Sequence, residues 1–199
     1  MKKVLHIMSS VRQDASFSIQ LGHAIINKLE AQYGEISVTE LDLNKTPLPY
    51  LDARHIQAFY TPVEHLTGED RNALHHSDKA IEDLMAADII VIGAPLYNFG
   101  IHSSLKSWID HICRAGITFR YTEQGPEGLV KGKKVYIAMA AGGVYSSGPY
   151  QAYDFVSPYL KAVLGFLGMT DVSLVSAEGV KMPGVAEHAL EKAIDSIAV

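Results

Sequence analysis

Short apolar runs that alternate with longer stretches of helical period are the feature that most narrows what this chain can fold into. Val4 to Met8, Ile36 to Leu43, Asp88 to Ala94, Lys134 to Ala140 and Val172 to Ala177 have the length and patterning of strands. Between and after them, apolar residues fall at helical spacing over Phe17 to Leu29, Arg71 to Ala86, His102 to Ala115, Tyr150 to Gly168 and Gly184 to Ala198. Ser16 reads as the N-cap of the first of these helices and Gly116 as the C-terminal stop of the third. Strands separated by helices need right-handed crossovers, which place helices on both faces of a parallel sheet. The expected architecture is therefore α/β, a doubly wound five-stranded parallel sheet.

The 199 residues carry no internal repeat and no interdomain linker, so one domain, residues 1–199, is expected. Leu51 to Asp70 has no clean period and reads as a long excursion with one short helix over Ala53 to Phe59. Connections of that length usually carry function or pack against something.

Charge and cysteine content exclude several classes. A formal charge of −5 gives no positive field for a polyphosphate, and the one dense basic stretch, Lys131, Lys133 and Lys134, reads as a solvated turn before a strand. No nucleic-acid partner is expected. Cys113 is the only cysteine, so no internal disulfide forms, and no leader of signal-peptide type opens the sequence; the cytoplasm is the expected compartment. Ala86 to Ala94 is the strongest apolar run, but it is broken by Asp88 and ends at Pro95, far short of the roughly 18 residues a spanning helix needs. No membrane segment is expected.

The motifs narrow the chemistry. No G-x-G-x-x-G follows the first strand and no G-x-x-x-x-G-K-[ST] occurs, so neither a Rossmann dinucleotide site nor a P-loop is supported. The first strand leads instead into Ser9-Ser10-Val11-Arg12-Gln13-Asp14-Ala15-Ser16-Phe17-Ser18, four hydroxyls and a guanidinium running into a helix N-terminus. That loop either caps the helix and fills a turn or holds a phosphate monoester, whose acceptor oxygens suit hydroxyls, free N–H groups and a helix dipole.

After the third strand comes Pro95-Leu96-Tyr97-Asn98-Phe99-Gly100, with aromatic surface for the walls of a planar ring and an amide for its polar edge, or simply edge packing. After the fourth comes Ala140-Ala141-Gly142-Gly143, where missing side chains let backbone N–H groups approach a flat ligand, or make a plain turn. Loops at the carboxyl ends of strands line the ligand crevice of open α/β sheets, and three such loops in one chain favour the ligand-binding alternative.

Other constellations carry less. His111 lies one residue from Asp110 and two from Cys113, so on a helix it shares a face with neither, and no nucleophile motif surrounds them; Cys113 reads as structural. No H-E-x-x-H occurs, and His75-His76 cannot both face one ion from a regular helix, so no metal is expected.

Taken together, these stretches resemble the FMN-dependent NADH-azoreductase family, whose members also reduce quinones. The likeness extends over nearly the whole chain and is most specific from Arg114-Ala115-Gly116-Ile117-Thr118-Phe119-Arg120-Tyr121-Thr122-Glu123 through Gly125-Pro126-Glu127-Gly128-Leu129. The resemblance implies a flavodoxin-like sheet of order 2-1-3-4-5 and FMN as cofactor. Ser10, Ser16, Phe17 and Ser18 would hold its phosphate and ribityl region, Leu96, Tyr97, Asn98 and Phe99 its ring, and Gly142 and Gly143 its pyrimidine edge.

The resemblance further implies NADH or NADPH as electron donor and small aromatic acceptors, quinones and azo compounds, reduced by two electrons in a ping-pong cycle. Flavin N5 would carry the hydride, and no residue would act as acid or base. It also implies a homodimer with sites at the interface, with Phe119 or Tyr121 towards the substrate face. The alternative is a flavodoxin-type electron carrier with little nicotinamide turnover. One departure stands out: family members often carry a serine and an arginine where this chain has Ala140 and Ala141.

Overall fold

Five parallel strands, with helices on both faces, carry the core of the computed structural model, which describes residues 1–199. In chain order the elements are β1 (Lys2–Met8), α1 (Phe17–Tyr33), β2 (Ile36–Asp42), α2 (Ala53–Tyr60), α3 (Gly68–Ala86), β3 (Ile89–Pro95) and α4 (Ser103–Ile112). There follow β4 (Phe119–Thr122), β5 (Gly125–Gly128), β6 (Lys134–Ala140), α5 (Ser157–Phe166), β7 (Asp171–Ala177) and α6 (Ala186–Asp195). The sheet order is β2-β1-β3-β6-β7, which is the expected 2-1-3-4-5 with a separate antiparallel hairpin, β4-β5, inserted before the fourth strand of the sheet.

The period of two sorts each central strand between two apolar layers. Leu5 and Ile7 of β1, Ile90 and Ile92 of β3, and Val135 and Ile137 of β6 join Leu84 of α3, Trp108 and Ile112 of α4, and Leu160 of α5 in the larger cluster. Val4, Ile89, Val91, Tyr136 and Ala138 face the other way, onto Leu21, Ile25 and Leu29 of α1 and Ala193 of α6. Both faces of the inner strands are covered, as a parallel sheet requires.

Three boundaries depart from the sequence reading, each for a local reason. The Leu51 to Asp70 excursion contains α2 near its expected place, but α3 starts at Gly68 rather than Arg71, because Thr67 and Asp70 form a reciprocal capping box. The long helix expected over Tyr150 to Gly168 is only Ser157–Phe166; Asp154 accepts hydrogen bonds from the N–H groups of Val156 and Ser157, and Pro158 sits in the first turn. Gly116 does not stop α4, which ends at Ile112, whose carbonyl accepts a 2.5 Å bond from the Thr118 hydroxyl. Gly116, at φ +81°, instead turns the chain into the hairpin.

The basic stretch is tied down locally. Lys131 pairs with Glu127 at 2.8 Å, Lys134 pairs with Asp171 at 2.7 Å, and Lys133 donates to the carbonyl of Ala87 at the end of α3. Cys113 lies at the end of α4, where burial, aided by Asp110, pushes its thiol up to about 11. An ordinary thiol loses its proton near 9.0, so the reaction of Cys113 with a disulfide reagent at pH 8 is expected to run about 100-fold slower in the folded than in the denatured chain. Equal rates would place the thiol in water. No helix is long and apolar enough to cross a membrane.

Candidate FMN cleft

The strand order reverses between β1 and β3, where crossovers leave in opposite directions and open a crevice at the carboxyl ends. A cleft of about 340 Å³ lies there, lined by the loops after β1, β3 and β6 and by Val180 and Lys181 after β7.

On the β1 side, the Ser9 hydroxyl donates to the Gly93 carbonyl at 2.7 Å and fixes the start of the loop against β3. Ser16 is the N-cap of α1: its Oγ accepts the Ile19 N–H at 3.4 Å and lies 3.0 Å from the Ser18 hydroxyl. The Phe17 and Ser18 N–H groups at the front of this 17-residue helix have no carbonyl one turn back. Ser10, Ser16, Phe17 and the exposed Arg12 line the cleft, whereas Ser18 is fully buried behind them and acts on it through Ser16.

On the β3 side, Leu96, Tyr97, Asn98 and Phe99 all line the cleft. The Tyr97 hydroxyl lies 3.1 Å from Ser10 Oγ, which links this wall to the first loop. Tyr97 and Gly100 exchange two backbone hydrogen bonds of 3.0 Å across a two-residue turn, so Asn98 and Phe99 both take positive φ, +50° and +70°. Asn adopts that conformation readily. For Phe it is strained by about 1 kcal/mol or more, and two contacts hold it: its carbonyl accepts the Phe155 N–H at 3.1 Å, and its ring meets that of Tyr153 at 5.3 Å.

On the β6 side, Ala140 and Gly142 line the cleft, and Gly143 stands just behind, where a side chain would meet the Tyr145 ring. The carbonyls of Gly142 and Gly143 accept from Lys181 and Gly179, but their N–H groups have no acceptor in the chain. Phe119 and Tyr121 are elsewhere. Phe119 is 9% exposed and packs in the core against Phe166, while Tyr121 projects from the hairpin with 74% of its surface exposed. Neither lines the cleft.

The residue choice fits FMN. Hydroxyls, a guanidinium and free helix N–H groups meet the needs of a phosphate monoester. Leu96 and Tyr97 give an apolar wall, and two unpartnered glycine N–H groups suit a ring edge that accepts hydrogen bonds. No aspartate, glutamate, histidine or cysteine lines the cleft. Lys181, Val180 and Tyr145 were missed in the sequence, although Lys181 follows the carboxyl end of β7 and the strand-end rule that found the other loops points to it as well. The Lys181 stem packs over Gly142 and brings a cation to that side of the cleft.

A family model described as flavodoxin-like fold matches residues 2–199. A protein of Herminiimonas arsenicoxydans named FMN-dependent NADH:quinone oxidoreductase is 51% identical over 182 residues, 92% of this chain and 89% of that one. The chain belongs to this family. Another member, from Agrobacterium fabrum and of the same name, is 46% identical, with 98% of this chain and 93% of the relative covered. Among solved structures, azoreductase from Bacillus anthracis str. Sterne superposes with a TM-score of 0.91 at 34% identity, covering 98% of this chain and 96% of that one. An FMN-dependent NADH-azoreductase from Bacillus anthracis str. Ames Ancestor, solved in complex with FMN, gives a TM-score of 0.86 at 27% identity, with 98% and 95% covered.

Proposed function

We propose that this chain is an FMN-dependent NADH:quinone oxidoreductase that also cleaves aromatic azo compounds reductively. The observation that carries the reading is the meeting of the loops after β1, β3 and β6 in one cleft whose polar groups match a phosphorylated planar ring. When bound, FMN supplies the hydride chemistry.

The residues of the chain bind and orient. Ser10, Ser16 and Arg12, with the first N–H groups of α1, hold the phosphate; Ser18 positions Ser16. The Ser10 to Tyr97 contact ties the phosphate end to the ring wall, so the ring's place follows from the phosphate's. Leu96 and Tyr97 exclude water from one face, Asn98 offers its amide at the edge, and Gly142 with Gly143 offers N–H groups to the pyrimidine edge, where donors stabilise negative charge. Lys181 adds a cation on the same side.

Exposed aromatic residues gather around the loop after β3: Phe99, Tyr150, Tyr153 and Phe155. Apolar surface of this kind supports a homodimer in which a second copy covers the cleft. Sedimentation is expected to give twice the chain mass of 21.7 kDa, and a monomer at micromolar concentration would refute the dimer. The cytoplasm remains the proposed compartment.

Anaerobic mixing of FMN-loaded protein with NADH or NADPH is expected to bleach the flavin absorbance, and menadione is expected to restore it. Absence of bleaching would remove the enzymatic reading and leave a carrier.

A further inference from the structure

Position 6 breaks the apolar layer between β1 and α1. Val4 and His6 point to the same face of β1, and Val4 packs there with Leu21 and Ile25 of α1. His6 is fully buried, yet neither of its ring nitrogens has a hydrogen-bond partner. Buried polar groups are nearly always satisfied, and one that is not needs an explanation. Gly22 makes room for the ring: a Cβ at that position would lie 2.4 Å from His6 Nε2. Nε2 therefore faces the helix backbone, and Nδ1 is the nitrogen free to take a ligand.

Nδ1 of His6 lies 3.9 Å from Oε1 of Glu40 on β2. The same oxygen is 3.3 Å from Nε2 of His23 on α1, whose ring meets that of His6 edge-on with 5.0 Å between centroids. One ligand atom from each of the three residues lies within 4.8 Å of the other two. We propose that His6, His23 and Glu40 form a binding site for a divalent first-row transition ion of the zinc type, with its remaining positions open to water.

The geometry is close to what such an ion requires. Metal–donor distances near 2.0 to 2.1 Å in a tetrahedron separate the donors by roughly 3.4 Å. The His23 to Glu40 pair is already at that spacing. The remaining closure falls to these two side chains, which are 50% and 55% exposed and free to turn, while packing holds His6 still. Two imidazoles with one carboxylate select zinc, nickel or copper over calcium or magnesium, which prefer oxygen alone. The sequence shows no metal motif here because the ligands come from three elements, at positions 6, 23 and 40, and only the parallel crossover brings them together.

Such an ion would join β1, the edge strand β2 and α1, outside the cofactor cleft. The test is calorimetric titration of untagged, FMN-loaded protein with zinc sulfate. One ion per chain is expected, with a rise in Tm, and extended X-ray absorption should show nitrogen and oxygen donors near 2.0 Å with imidazole scattering. His23→Ala and Glu40→Gln, both at half-exposed positions, are each expected to weaken binding at least about tenfold, a loss typical of disturbed metal coordination. His188→Ala, which removes the other exposed His–Glu pair, on α6, should leave it unchanged. No saturable uptake, or uptake that survives His23→Ala and Glu40→Gln, would overturn the proposal.

Discussion

Ser16→Asp is expected to weaken FMN binding by at least about 100-fold and to give a protein that purifies without yellow colour. Aspartate is as good an N-cap as serine, so α1 keeps its start and the fold is retained. What changes is charge. Ser16 is buried at the mouth of the helix, in the cleft that is proposed to hold a phosphate carrying about −1.5 to −2 charges. Two unit charges ~4 Å apart at an effective dielectric of ~20 repel by about 4 kcal/mol, roughly a thousandfold in affinity. Water at the open side of the cleft lowers that figure, hence the more modest expectation. Ser16→Ala separates the two effects, since it should cost about 1 kcal/mol of stability through the lost cap while retaining measurable FMN affinity. Fluorescence titration of FMN decides the matter: an unaltered Kd in Ser16→Asp would place the phosphate elsewhere.

Gly128→Ala is expected to have the largest effect on folding. A Cβ built at Gly128 would lie 2.1 Å from the Gly168 nitrogen and 2.3 Å from the Leu167 carbonyl carbon. These are backbone atoms, so no rotamer change relieves the clash. The contact is where the β4-β5 hairpin docks on the turn after α5, beside the hydrogen bond from Val130 N–H to the Leu167 carbonyl at 2.9 Å. Gly168 cannot yield easily, because its φ of +102° already relies on glycine. Overpacking usually costs 1 to 3 kcal/mol, and a backbone clash of this depth belongs at or beyond the upper end, about 3 kcal/mol or more. For a chain of this size that lowers Tm by about 6 to 12 °C. A melting curve like that of the wild type would show that the hairpin does not dock here.

Much of this architecture was legible in the sequence because the relevant signals are local. Buried parallel strands are short and apolar, their helices keep one apolar face, and Ser16 caps where a serine before a helical run should. The β4-β5 hairpin was not legible from periodicity: Gly125, Pro126, Glu127 and Gly128 are poor strand formers, held by pairing with Phe119 to Thr122 and by docking on Gly168. The start of α5 was misplaced because apolar spacing continues back to Tyr150, whereas the backbone follows Asp154 and Pro158.

In the site, the three loops could be named because each follows a strand in the sequence. The relation between them could not. The Ser10 to Tyr97 contact joins residues 87 positions apart, and Lys181 reaches Gly142 only once β7 lies beside β6. Phe119 is placed towards the substrate by the resemblance alone; within one chain its ring packs against Phe166 and does not line the cleft. The His6 cluster was invisible for the same reason as the Ser10 to Tyr97 contact, since spacings of 17 residues each carry no motif.

The most direct test of the account is the visible spectrum of the protein after it has been stripped of small molecules, incubated with FMN and passed through a desalting column. One FMN retained per chain, with the absorbance of bound oxidised flavin, is the result expected of a cradle formed by Ser10, Ser16, Tyr97 and Gly142. A colourless protein that leaves all its FMN on the column would contradict it.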